Sequence, residues 1–128
     1  MPIQYERDDV RRRVVITFPG TYQASDGLAA IDRHHAEGAW AYGVLYDLRS
    51  LISQPSISDL KAYMERDVQV PDGEKRRRGP IAILAPNPIV YGIACTYAAM
   101  GRSKMSIEVF RDWKEADDWL TAQTSVVP

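Results

Sequence analysis

His34 and His35, Cys95, and the acids and arginines that close the apolar runs are where chemistry would first be sought in this chain. The two histidines are adjacent. Neighbours on a helix point about 100° apart, whereas a shared metal asks for the i,i+4 spacing of His-Glu-x-x-His. The pair therefore reads as one half-buried and one exposed ring, and no metal is assigned. Asp47 with either histidine would make an acid–base pair only if the fold set the geometry, and the spacing does not. Cys95 lies between Ala94 and Thr96 in mid-helix. A nucleophilic thiol needs a lowered pKa and a neighbouring base, so Cys95 reads as packing. The chain has no Gly-x-Ser-x-Gly, no Gly-x-x-x-x-Gly-Lys, and no Gly-x-Gly-x-x-Gly after a strand. No catalytic residue and no cofactor is assigned.

Two basic runs, Arg11-Arg12-Arg13 and Lys75-Arg76-Arg77-Arg78, offer phosphate contacts in principle. Each adjoins acids (Asp8 and Asp9; Asp72 and Glu74), and no glycine–aromatic RNA signature accompanies them. They read as a solvated turn and a solvated loop, with no nucleic-acid partner expected. Tyr91, Tyr97, Met100, Trp113 and Trp119 are the side chains from which an apolar pocket could be built. At helical spacing they read as core.

These residues must be positioned by a strand-then-helix unit that recurs. Val44-Leu45-Tyr46-Asp47 leads to the amphipathic Ser56–Asp67. Ile81–Ala85 leads to Asn87–Met100, and Ile107–Phe110 to Asp112–Gln123. Such units build parallel sheets. Ahead of them, Ile3–Glu6 alternates apolar and polar, and Arg13–Phe18 supplies a second strand. The two predict an antiparallel hairpin turning near Asp8–Arg11. Ser25 suits the N-cap of the next helix, with Leu28, Ile31 and His35 on one face and Gly38 at its stop. Ser56 and Asp59 form a capping box, followed by an apolar face of Ile57, Leu60, Met64 and Val68. An exposed, charged loop runs from Pro71 through Arg78. Asn87 caps a helix with Pro88 at its first position and a stripe of Ile89, Ile93, Tyr97 and Met100. Asp112 and Glu115 repeat the box, with Trp113, Ala116, Trp119 and Leu120 toward the sheet. Residues 124–128 are expected to fray.

The 128 residues suit one domain spanning 1–128. A hydrophobic share of 45% with 26% charged residues excludes a disordered chain. A net charge of −1 gives no global pull toward nucleic acid or membrane. One cysteine excludes an internal disulfide. No apolar stretch approaches the ~20 residues of a membrane span. The charged N-terminus does not read as a signal peptide, and a cytoplasmic location is expected. The fold class is α/β: a mixed sheet of about five strands, its N-terminal hairpin antiparallel and the rest parallel, with about four helices in the order ββαβαβαβα.

Three segments carry a resemblance to a known family: Val44–Arg49; Gly79–Ile83 with Val90-Tyr91-Gly92; and Val109–Asp112 leading to Ala116 and Trp119-Leu120. With the element order, they make the chain resemble STAS domains, which include bacterial anti-sigma factor antagonists. The closer likeness is to a STAS-like group of small bacterial proteins of largely unassigned role, sometimes grouped with lipid-binding CRAL-TRIO domains. The antagonists carry an Asp-Ser pair at the start of the helix after the central strand, and that serine is phosphorylated. Here the region reads Gln54-Pro55-Ser56-Ile57-Ser58-Asp59, without that aspartate or the glycine that follows the serine. The resemblance makes Ser56 and Ser58 candidate phosphoacceptors, and a phosphate at a helix N-terminus is electrostatically favourable.

In open parallel sheets, ligands favour the crevice beyond the carboxyl ends of the strands. That rim should carry Asp47, Arg49, Ser50, Asn87, Tyr91 and Arg111, the candidate ligand-binding residues. Each has a competing structural reading, because Asp47 can pair with Arg49 and Asn87 can simply cap a helix. The expected function is a non-enzymatic binding or regulatory module meeting a protein partner or a copy of itself. The alternative is a small carrier of an apolar or anionic, lipid-like ligand in a crevice at the strand ends.

Overall fold

Five short β-prone runs, each bounded by turn residues, pair into one sheet of order β1-β2-β3-β4-β5. The structure is a computed structural model and describes residues 2–124. The strands are β1 (Gln4–Asp8), β2 (Arg13–Thr17), β3 (Gly43–Asp47), β4 (Ile81–Leu84) and β5 (Ile107–Phe110). The helices are α1 (Ala24–Ala36), α2 (Ile57–Asp67), α3 (Pro88–Gly101) and α4 (Trp113–Thr124). β1 and β2 are antiparallel; β2 through β5 are parallel. The order ββαβαβαβα and the mixed sheet are those expected from the sequence.

Strand order equals chain order, so every crossover steps the same way across the sheet. Right-handed crossovers then put α1, α2 and α3 on one face. α4, which follows the last strand, packs on the other. Register makes the two faces explicit. Ile16, Tyr46, Ile83 and Val109 stand in one row across β2–β5. With Val14, Val44, Ile81 and Ile107 they pack toward the three-helix layer. The intervening Val15, Leu45 and Ala82 meet Ala116 and Leu120 of α4. β3 and β4 are covered on both sides and buried throughout, which is why they read as continuous apolar runs.

The termini follow local chemistry, with one exception. Ser56 accepts from the Asp59 N–H at 3.0 Å, and the Ser56 N–H donates to the Asp59 carboxylate at 3.3 Å. Asn87 accepts from Ile89 N–H at 2.9 Å. Asp112 accepts from Glu115 N–H at 3.1 Å. Gly38 takes a φ of +72° just past α1, the left-handed conformation that glycine adopts freely. Ser25, however, is not the N-cap of α1. The helix starts one residue earlier, after an extended Gln23 that makes no side-chain cap. Tyr22 packs its ring 5.0 Å from that of Phe18, and this contact fixes where the chain enters the helix.

Four further expectations are corrected. Arg13 and Arg78 are not solvated: both side chains are 4% exposed. Arg13 reaches across the sheet end to Asp117 of α4 and to Thr121 Oγ1 at 3.2 Å. Ile57, Ile89 and Trp113 point outward rather than toward the core. The buried ridges of their helices start three residues later at Leu60 and Ala116, and one residue later at Val90. On α1 the buried imidazole is His34, while His35 is half-buried. Gly79 lies where a Cβ would sit 2.0 Å from the Tyr42 carbonyl oxygen, so the two backbones can only pass with glycine there. The expected fraying falls on residues 125–128, outside the described residues. Thr124 itself closes α4, its hydroxyl donating to Leu120 O at 2.7 Å.

Candidate functional site

The carboxyl ends of β2–β5 gather the six rim residues singled out from the sequence, but in two separate groups. Asp47, last in β3, is buried, and Arg49 occupies its carboxylate: Nε at 3.0 Å, a terminal nitrogen at 2.8 Å and the Arg49 N–H at 3.1 Å. The Arg49 guanidinium also lies 5.1 Å from the centre of the Trp113 ring. In the second group, Arg111 stacks 5.3 Å from the Tyr91 ring centre and bonds Pro86 O at 3.4 Å. The Tyr91 pKa is raised, chiefly by a hydrogen bond with Cys95. Asn87 caps α3 and Ser50 is exposed. Ser56 and Ser58 are exposed at the start of α2, the Ser56 hydroxyl serving the capping box.

Among the described residues, no cluster of three or more histidine, cysteine or acidic side chains could hold a metal ion. His34 Nε2 donates to Ala39 O at 2.7 Å. Burial, with the Arg78 charge second, pushes its pKa down to about 3, so the ring is neutral. The His35 pKa is lowered for the same two reasons.

What the fold assembles instead is an apolar pocket in the layer between the sheet and α1–α3, opening toward the carboxyl rim. Five aromatic rings line it: Phe18, Tyr22, Tyr46, Tyr63 and Tyr97. Leu51, Leu60, Ile83, Val90 and Ile93 fill the spaces between them, and Gly27, Pro55 and Ala94 leave room. Counted with its open mouth, the concavity is about 550 Å³. A water held inside it needs polar partners as well as room.

Two of the four phenols lining the pocket are already committed to a buried acid. Tyr46 donates to both oxygens of Asp67, at 2.7 and 2.9 Å. Tyr97 donates to Asp67 Oδ2. The Tyr22 and Tyr63 phenols lie near each other, and burial raises the pKa values of both. Asp67 is 0% exposed and is neutralised by Arg78 at 3.2 Å, which also donates to Asp67 O at 3.1 Å and Trp40 O at 3.2 Å. Burial raises the pKa values of Tyr46 and Tyr97, with the Asp67 charge second, so both remain donors.

Of the five side chains proposed for a pocket from the sequence, Tyr97 alone lines it. Trp119 packs on the opposite face against Phe110, Trp113 lies under Arg49, and Tyr91 and Met100 lie outside the lining. The residues missed were Phe18, Tyr22, Tyr63 and the Asp67–Arg78 pair. A signal for Asp67 existed: Leu60, Met64 and Asp67 share one helical stripe, which puts an acid on an apolar face.

Compared with known protein families, curated proteins and solved structures, the chain matches none. Among the described residues, no helix is long and apolar enough to cross a membrane.

Proposed function

We propose that this chain is a non-enzymatic, STAS-like binding module that takes up a small apolar ligand between its sheet and α1–α3. One observation carries the reading: a rim-facing pocket lined by rings and aliphatic side chains, with no charged side chain in its lining and two of its four phenols committed to Asp67. Water gains little there, so an apolar group that displaces it binds through the hydrophobic effect and close packing. The order ββαβαβαβα supports the STAS-like part. The test is saturable binding of a small apolar compound such as toluene, followed through the methyl resonances of Leu51, Ile83 and Val90. An Ala94→Phe variant, which fills the space, should abolish it. Binding unaffected by Ala94→Phe would remove the pocket from the account.

A second reading, a module that meets a protein partner or its own copy, is favoured by the surface of α3. From Gly79 to Gly101 the chain has no charged residue. The outward positions of the helix include Ile89, 60% exposed, with Gly92, Thr96 and Ala99. An uncharged helical face with small residues allows close approach of another surface. Sedimentation equilibrium of the wild type and an Ile89→Glu variant separates the readings, because ligand uptake alone leaves both monomeric.

A further inference from the structure

Resting on the pocket reading above, we infer that the ligand is neutral over the part the pocket covers, and that no ionised headgroup is recognised. The sequence left apolar and anionic ligands equally open. The arrangement of polar groups separates them.

Inside, no ionised side chain stands ready to receive a charge. The polar side-chain atoms of the lining are four neutral phenol oxygens, and two of them are committed to Asp67. An ion entering the pocket would lose its water and gain no counter-charge, and this desolvation cost is far larger for a charge than for a neutral group.

At the mouth, the chain is uncharged on three sides. Val14–Ser25, Ser50–Ser58 and Gly79–Gly101, which supply Phe18, Tyr22, Leu51, Pro55 and Val90 to the lining, contain no Asp, Glu, Lys, Arg or His. In a chain with 26% charged residues this is a marked depletion. The two rim cations are engaged elsewhere: Arg49 on the Asp47 carboxylate and Trp113, Arg111 on Pro86 O and Tyr91. The ionised groups whose fields reach the Tyr22 and Tyr63 phenols are Asp59 and Asp26. Both are anions, and Asp59 is held by the capping box. An anionic head would therefore meet repulsion, and a cationic head would find no carboxylate in the pocket lining.

The experiment is a matched series on the intact chain: toluene, benzoate and benzylammonium at neutral pH, each titrated while the methyl resonances of Leu51, Ile83 and Val90 are followed. One ring is common to all three, so the difference isolates charge. Toluene should bind saturably, and both ions should bind more than tenfold more weakly. Ile93→Lys, at the half-buried edge of the pocket, should then invert the order and favour benzoate, which a merely structural defect would not do. Ile93→Arg serves as the second variant if the lysine form fails to fold. Benzoate or benzylammonium binding the wild type within threefold of toluene overturns the inference while leaving the pocket reading standing. If none of the three perturbs those methyls at saturation, the pocket reading falls and takes the inference with it.

Discussion

Tyr46 and Asp67 stand 21 residues apart in the chain and 2.7 Å apart in space, the phenol of the central strand donating to a carboxylate on the last turn of α2. Tyr97 of α3 donates to the same carboxylate, and Arg78 approaches it from the loop leading to β4. One buried acid thus ties β3, α2, α3 and the α2–β4 connection together behind the pocket. The pocket depends on this tie, because the two phenols present ring faces to the interior only while their hydroxyls are held at Asp67.

Removing the cation should cost far more than removing one phenol hydroxyl. Arg78→Met leaves the Asp67 carboxylate buried without its counter-charge, and losing one partner of a buried pair costs about 3–5 kcal/mol. Tyr97→Phe leaves an acceptor that keeps Tyr46 and Arg78, at about 1–3 kcal/mol. Urea denaturation of the two variants, compared at equal m-values, should rank them in that order. The reverse order would mean that Arg78 acts by packing against Trp40, whose ring centre is 4.9 Å away, rather than by charge.

His34 makes stability depend on pH in a window set by its own shift. Its folded pKa lies at about 3, below the ordinary 6.5. Between these values the unfolded chain binds a proton that the folded chain does not. Stability from this group is therefore complete above pH 6.5 and declines as pH falls toward 3, with a slope approaching about 1.4 kcal/mol per unit for one proton. His34→Gln keeps a donor for Ala39 O and removes the titration. Its stability profile between pH 6.5 and 4 should be flatter than that of the wild type, and parallel profiles would assign the loss to His35, whose pKa is also lowered from 6.5, by burial and by the Arg78 charge.

The architecture was legible because each strand's period and each helix's cap agreed. Gly43–Asp47 reads as a buried central strand and is one; Ser56, Asn87 and Asp112 read as caps and are caps. The pocket was not legible, because its residues come from many elements and share no spacing. Tyr22 stands before α1, in a stretch that sequence reading treats as a connection, and Phe18 reads only as the last residue of a strand. Arg13 and Arg78 were misjudged for a related reason: a run of like charges looks solvated, and only the tertiary partners Asp117 and Asp67, over 100 and 11 residues away, reveal which member turns inward. Here all three crossovers lie on one face, so the concavity forms within a layer rather than at a strand-order reversal.

The capping box gives a local test at the candidate phosphoacceptors. Ser56→Ala removes the acceptor of the Asp59 N–H and should cost about 1 kcal/mol. Ser58→Ala, one position into α2 and exposed, should change stability by less than about 0.5 kcal/mol. Thermal unfolding of the two variants side by side makes the comparison, and equal losses would deny Ser56 its capping role.

Gly27 offers a way to narrow the pocket from its α1 wall. Its backbone is that of an ordinary helical residue, so alanine is allowed there and gains about 0.5–1 kcal/mol of helix propensity. The new methyl would lie 3.0 Å from the Tyr63 ring and hydroxyl, tight enough to require Tyr63 to give by a few tenths of an ångström. In a filled core that displacement would be resisted from behind. Here Tyr63 has the pocket behind it, so the ring can yield inward and the two effects nearly offset. Gly27→Ala should therefore unfold within about 1 kcal/mol of the wild type yet bind toluene several-fold more weakly, as titration and urea denaturation on the same sample would report. A loss of several kcal/mol would mean that the space beside Tyr63 cannot accept the ring, and that the concavity is too rigid or too full to admit a ligand by that wall.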